Sequence, residues 1–359
     1  MRIDNEIKLD FSDVLIRPKR STLSSRKEVN LERTYKFLHS SKTWTGIPIM
    51  TSNMDATGTF SMAKTLSKEK VVTVLHKFYS ISQLEEFFED FDEPDYLGYS
   101  MGIRNEDFEK FEKIVEKRLH HNFRFIILDV PNAYLERFLS NVKKLRSICP
   151  EHIIVAGNVV TNEMTEEILL NGADLVKVGI GSGAACTTRR QTGVGYPQLS
   201  AVIECSDAAH GISSDSGGYG LIVSDGGIEH PSDVAKAFCG GADFVMMGSM
   251  FAGFTESGGD IVERNGKKYK EYYGMSSAKA MKEHYGEVAK HRASEGRETL
   301  IPYKGDVEDF VYELFGSLRS TGTYIGARKL KEFSRRATFI KVGKQLNTSL
   351  ISYDTKNVP

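Results

Sequence analysis

The chain has 359 residues, 40% hydrophobic and 26% charged, which is enough apolar material for a sizeable core and excludes a disordered or low-complexity protein. Lysine and arginine (47) nearly balance aspartate and glutamate (48), and the net charge of −1 excludes a broad nucleic-acid footprint while leaving room for a local anion site. Four scattered cysteines, Cys149, Cys186, Cys205 and Cys239, have no C-x-x-C spacing, which excludes a disulfide framework and a zinc site built on such pairs. The opening "MRIDNEIKLDFSD" is charged throughout, and no apolar run reaches membrane length, so a cytoplasmic protein is expected.

In chain order, an N-terminal arm (1–45) precedes eight short apolar runs: 47–54, 71–77, 97–103, 125–130, 153–159, 175–181, 221–227 and 244–250. They are rich in β-branched residues and apolar on both faces, as strands of a buried parallel sheet should be. Helical spacing fills the gaps. Phe108, Phe111, Ile114, Val115 and Leu119 predict a helix over 105–121 with Asn105 as its cap, and 161–173 and 230–242 open on cap-like or proline residues and close on glycine. These last two belong to a repeat of strand, glycine turn, helix, "GAD", strand and glycine. Eight strands and a repeated strand–helix–strand unit fit an α/β fold of the (β/α)8 TIM-barrel type, with an open doubly wound sheet as the alternative. Residues 251–310 follow the eighth strand and are rich in Gly, Lys, Glu and Tyr; they predict a mobile flap over the barrel mouth. No domain boundary divides 1–345, and 346–359 reads as a loose tail.

Reactive residue types gather at the strand ends: Asn53 and Asp55, Lys77, Asp129, Asn158, the 181–188 loop, Asp225–Gly227, and Gly248 with Ser249. A barrel brings all of these to one rim. The glycine turns after strands seven and eight are either tight turns or a phosphate site made of backbone N–H groups, with Asp225 placed to accept from ribose hydroxyls. In "GIGSGAACTTRRQTGVGYPQL" (179–199), Cys186 lies among Gly, Thr and Arg rather than on an apolar face. It reads either as a buried small residue or as a covalent nucleophile, and the glycines before it could turn carbonyls toward a monovalent cation. The other three cysteines lie on predicted helices or their ends and read as structural.

Taken together, this loop, "SDGGIEHPSDVAKAFCGGADFVMMGSMFAG" and the "YYGMSS", "HRASEG" and "IPYKG" segments resemble the IMP dehydrogenase/GMP reductase family, from "LDFSDVLIRPKRS" to "SRRATFIKV". The likeness is to its reductase branch. The large regulatory modules common in the dehydrogenases have no room between strands two and four, and the Arg-Tyr pair of the dehydrogenase flap does not occur in the chain. The resemblance implies a barrel, usually tetrameric, that reduces GMP to IMP and ammonia with NADPH through a covalent thioimidate on Cys186. Thr188 and Glu295 match the pair that handles protons on the departing amine. GMP is expected against Asp225, Gly226, Gly227, Gly248, Ser249, Gly274, Met275, Ser276 and Arg292, Ala293, Ser294, Glu295, Gly296. NADPH is expected against Lys77, Asp129, Val130, Pro131, Ile180, Gly181, Met275, His291, Arg292 and Ser320, Thr321, Gly322, Thr323, with Ser25 and Arg26 reaching it from a neighbouring subunit. Carbonyls of Gly181, Gly183 and Cys186 match a potassium site. Ser182, Ala184, Ser249 and the longer "DAAHGISSDSGGYG" segment depart from the family pattern without removing a named chemical group. The competing readings are a dehydrogenase lacking its regulatory modules and a catalytically silent nucleotide-binding barrel.

Overall fold

The computed structural model describes residues 3–286 and 294–343. The eight apolar runs form eight parallel strands: β1 (Ile49–Thr51), β2 (Thr73–Leu75), β3 (Leu97–Met101), β4 (Phe125–Asp129), β5 (Ile153–Val159), β6 (Leu175–Val178), β7 (Leu221–Asp225) and β8 (Phe244–Met247). Each pairs with its sequence neighbour from β2 to β8, and β8 pairs with β1. The ring closes where Thr51 N–H donates to the Val72 carbonyl and Val72 N–H to that of Ile49, both at 3.0 Å. This closure excludes the open sheet and makes the fold a (β/α)8 barrel.

Helices alternate with the strands: α1 (Phe60–Leu66), α2 (Ile81–Glu89), α3 (Asn105–Glu116), α4 (Glu136–Ile148), α5 (Asn162–Leu170), α6 (Gln198–His210), α7 (Pro231–Cys239) and α8 (Val307–Ile325). The three helices expected from periodicity are present but shorter. α3 ends at Glu116, and Arg118 turns into the left-handed region (φ 63°) before a separate turn at Leu119–Asn122. Asn105 is not its cap. Arg104 is, because the Asp107 carboxylate accepts from the Arg104 amide at 3.1 Å and satisfies an N–H that the helix leaves open.

Period-two alternation decides what each strand residue meets. Phe125 and Ile127, Ile153 and Val155, Leu221 and Val223, and Phe244 and Met246 point into the barrel, while Ile126, Leu128, Ile154, Ala156, Ile222 and Val245 pack under the helices. The N-terminal arm forms a hairpin, Arg33–Lys36 with Thr43–Gly46, whose Tyr35 and Trp44, with Phe37, join the inner cluster. Each such fully buried large side chain contributes roughly 1.5–3 kcal/mol. The apolar filling therefore occupies the barrel from its closed end upward, and the C-terminal end is left to polar side chains.

Between β8 and α8 the polar insertion is in part a folded unit. Strands Ile261–Arg264, Lys267–Tyr273 and Glu298–Pro302 form an antiparallel sheet, with a helix at Ala278–Tyr285. Residues 287–293 of the expected flap and the expected tail, 346–359, lie outside the described residues. Among the described residues no helix is long and apolar enough to cross a membrane.

Candidate active site

The loop after β6 begins at Gly179, with φ of +149°, where a Cβ would stand 2.0 Å from the Asp225 carbonyl oxygen. Only glycine lets the chain pass this close to the end of β7. Main-chain hydrogen bonds then tie three distant segments together. Cys186 N–H donates to the Gly183 carbonyl (2.9 Å), Thr187 N–H to that of Glu295 (2.8 Å), Arg297 N–H to that of Ala185 (2.8 Å), and Glu295 N–H to that of Ser276 (3.1 Å). Gly274 joins the same weave by donating to Arg297 at 3.0 Å. The insertion thereby delivers Glu295 to the loop that carries Cys186.

The resulting side-chain geometry is directional. The Cys186 thiol donates to Thr188 Oγ1 at 3.1 Å, and that hydroxyl donates to Glu295 Oε2 at 2.6 Å. A hydroxyl has one hydrogen. Because Thr188 commits it to the carboxylate, its lone pairs face the sulfur, and a proton can pass from sulfur through oxygen to Glu295. The Thr188 amide also points at the sulfur, 3.5 Å away. Cys186 is half-buried and reachable, whereas Cys149, Cys205 and Cys239 are buried and their thiols are pushed up to about 12 by burial, as expected of inert structural cysteines.

Beside this relay a chain of polar groups crosses the barrel. Lys177, on β6, is 4% exposed, and its Nζ lies 2.7 Å from Asp129 Oδ1 and 2.7 Å from Asp225 Oδ2. Asn53 donates to Asp129 Oδ2 (3.0 Å) and Asn158 to Asp225 Oδ2 (2.9 Å). Burial alone would push the ammonium toward neutrality, but the two carboxylates outweigh it and hold Lys177 above its ordinary value. Burial likewise opposes ionisation of Asp129, and the nearby ammonium overcomes it, leaving Asp129 below its ordinary value. Among the described residues, the side-chain donors to the Asp225 carboxylate, Asn158 and Lys177, both use Oδ2.

Lys177 is absent from the residues expected from sequence. The signal that finds it is the strand period: Leu175 points into the barrel, so Lys177 must too. The same rule puts Asp129 in line with Phe125 and Ile127, and Asp225 with Leu221 and Val223.

The two glycine turns lie side by side, since Asp225 pairs with Met246 on β8. Gly226 has φ of +94°, and Gly227 N–H donates to the Ser182 carbonyl at 2.9 Å, joining this turn to the cysteine loop. Gly248 and Ser249 follow β8 and enter a short turn, Ser249–Phe251. Gly274, Met275 and Ser276 follow the insertion's second strand, and the Ser294 hydroxyl reaches the Ser276 carbonyl at 3.5 Å. Gly296 bridges Cys186 directly. His291, Arg292 and Ala293 lie outside the described residues.

A cleft of about 310 Å³ opens next to these groups, and Lys77, Asp129, Val130, Pro131, Met275 and Ser276 all line it. Phe78, Arg104, Arg137 and Met281, which sequence reading missed, line it too. Ile180 and Gly181 lead out of β6 into the cysteine loop, with Gly183 at the turn that Cys186 closes. Ser25, Arg26 and Ser320–Thr323 are not brought to the cleft. The Arg26–Glu28 turn packs on α8, and a Cβ on Gly322 would meet Val29 at 2.8 Å, so these residues form their own cluster on the arm and α8.

With this geometry in place, comparison with known proteins is informative. A family model described as the IMP dehydrogenase / GMP reductase domain matches residues 8–348. The chain belongs to the IMP dehydrogenase/GMP reductase family. Among curated members, GMP reductase 2 of Homo sapiens is 55% identical over 346 residues, covering 96% of this chain and 97% of its own. GMP reductase 1 of Mus musculus is 55% identical over 348 residues (97% and 99%), and GMP reductase of Caenorhabditis elegans is 51% identical over 360 residues (100% and 98%).

Proposed function

We propose that this protein is a GMP reductase, an oxidoreductase that converts GMP to IMP and ammonia at the expense of NADPH. The observation that carries the reading is the one-way hydrogen-bond chain from the Cys186 thiol through Thr188 to Glu295. Such a chain suits a reaction in which sulfur must lose a proton and a departing amine must gain one. Near-full-length likeness to relatives named GMP reductase supports the same reading.

In the first half-reaction the thiol proton passes through Thr188 to Glu295, and the sulfur forms a bond to C2 of the purine. The carboxylic acid returns the proton, by way of the hydroxyl, to the amino group, the C2–N bond breaks, and ammonia leaves. A thioimidate on Cys186 remains. NADPH, when bound, supplies the hydride that C2 receives in the second half-reaction. The C–S bond then breaks with its electron pair returning to sulfur, IMP departs, and the thiolate is reprotonated. Asp225 accepts from the ribose hydroxyls, the backbone N–H groups of Gly226, Gly248 and Ser249 hold the phosphate while the Gly227 amide braces their turn through its bond to the Ser182 carbonyl, and Gly274–Ser276 with 294–296 enclose the base.

The cleft beside the relay fits the dinucleotide in its donor set. Arg137 offers a cation to phosphates, Lys77 reaches the same cleft paired with Asp107 at 2.9 Å, and Asp129–Pro131 and Met275 flank the purine site. Ser25 and Arg26, on the arm, serve the cofactor of a neighbouring subunit in a homotetramer, whereas Ser320–Thr323, expected at the chain's own cofactor, pack beside them on α8 and do not line this cleft. The carbonyls of Gly181, Gly183 and Cys186, hard oxygen donors on one turn, hold a potassium ion that stiffens the cysteine loop. Arm, barrel and insertion act as a single unit in the cytoplasm.

Mixing purified protein with GMP and NADPH tests the reading: NADPH absorbance should fall and ammonia appear in equal amounts. No turnover there, with NADH formed from IMP and NAD instead, would overturn it.

A further inference from the structure

A cluster of donors separate from the relay and from the Lys177 chain joins the barrel to the insertion. Asp55 lies in the loop after β1, and Glu283 and His284 lie on the helix Ala278–Tyr285. His284 Nε2 is 2.5 Å from Asp55 Oδ2, and the Tyr273 hydroxyl is 2.9 Å from that oxygen and 3.1 Å from Glu283 Oε2. One phenolic hydrogen cannot serve two carboxylates at once. Asp55 Oδ1 is buried and, among the described residues, has no hydrogen-bond partner. The cluster thus holds more acceptor than donor, an arrangement that a cation would complete.

We propose that Asp55, Glu283 and His284 form a binding site for a divalent transition-metal ion of the zinc class. One ligand atom from each lies within 4.8 Å of the others, so small side-chain adjustments bring all three onto one ion. Glu283 is exposed and free to make most of that adjustment. An imidazole nitrogen with two carboxylate oxygens suits zinc or cobalt(II); a pure oxygen set would suit magnesium or calcium, and thiolates would suit copper(I). The His284 ring is already fixed by stacking on Phe78, with centroids 3.5 Å apart and planes 7° from parallel, so little orientation is left to impose. The ion supplies Oδ1 with its missing partner and offsets the charge of both carboxylates.

The site has a structural consequence. Asp55 belongs to the barrel and the other two ligands to the insertion, so a bound ion cross-links them. Met281, on the same helix, and Phe78, under the imidazole, both line the cleft. Occupancy therefore fixes one wall of that cleft. The site stands independently of the reaction assigned to Cys186.

The test is cobalt(II) titration of the full chain followed by visible absorption, with zinc(II) calorimetry in parallel. A Cys186→Ala background keeps the reactive thiol from competing. Saturable binding of one ion per chain is expected, weakened roughly tenfold or more by His284→Ala and measurably by Glu283→Gln. Absence of saturable binding, or equal affinity in the parent and in Glu283→Gln and His284→Ala, overturns the site. Glu283 is exposed, so its variant keeps the test decisive if His284→Ala fails to fold.

Discussion

Replacing Lys177 with methionine keeps side-chain length and removes the cation on which the barrel's polar core is built. Its Nζ sits 2.7 Å from Asp129 Oδ1 and 2.7 Å from Asp225 Oδ2. Removing one partner of a buried ion pair costs roughly 3–5 kcal/mol, because the remaining charge keeps its desolvation cost. Here both carboxylates retain an asparagine donor and are 29% and 21% exposed, which favours the lower end, about 3 kcal/mol. Urea denaturation at neutral pH reads this as a lower midpoint at unchanged slope. Adding Asp129→Asn to Lys177→Met should recover part of the loss, since one uncompensated charge is then gone. The pH dependence has a sign. Lys177 is raised in the fold, so its contribution is full below the unfolded lysine value, about 10.4, and is lost as pH rises through the higher folded value. Asp129 is lowered, so its contribution is present above the unfolded value, about 3.9, and is lost as pH falls through the folded one. Lys177→Met should therefore flatten the alkaline limb of the stability curve. A loss below about 0.5 kcal/mol, the range of an ordinary surface substitution, would refute the role given to Lys177.

Glu295→Gln can still hydrogen-bond Thr188 but cannot take the thiol proton; kcat for NADPH oxidation with GMP should fall about 100- to 10,000-fold with little change in KM for GMP, and a fall under about threefold would count against the relay. Gly179→Ala places a Cβ 2.0 Å from the Asp225 carbonyl at φ of +149° and should destabilise by about 2 kcal/mol or more, visible as a lower urea midpoint, while an unchanged midpoint would contradict the close approach. His76 is held down to about 4 by burial. It stays neutral in the fold while the unfolded chain protonates near pH 6.5, so stability should decline from about pH 6.5 toward 4 by up to about 3 kcal/mol, and His76→Phe should flatten that limb.

Much of the fold is legible because a buried parallel strand leaves a compact signature. All eight apolar runs are strands; β5 matches its run and the other seven are one to five residues shorter, chiefly because the run continues into the loop that carries chemistry. Ring closure is not legible: it rests on hydrogen bonds among Ile49, Thr51 and Val72, residues with no special identity. Nor is the cap of α3, where the side chain of Asp107, three residues on, decides the start in place of Asn105. Cys186 stands out by its polar surroundings. Its link to Glu295 does not, because main-chain bonds such as that from Thr187 N–H to the Glu295 carbonyl bring the Thr188 hydroxyl to a carboxylate 107 positions away. Lys177 is disguised by three apolar neighbours and emerges only when the strand period is counted. The Asp55–His284 contact leaves no trace in sequence, since neither residue belongs to a periodic pattern.

Intact-protein mass spectrometry of the enzyme quenched in acid after mixing with GMP alone tests the central claim most directly. The account predicts a covalent species heavier by one GMP less ammonia, minus no further atoms, with free ammonia in equal amount and no adduct in Cys186→Ala. An adduct that persists in Cys186→Ala, or full turnover by that variant with GMP and NADPH, would contradict it.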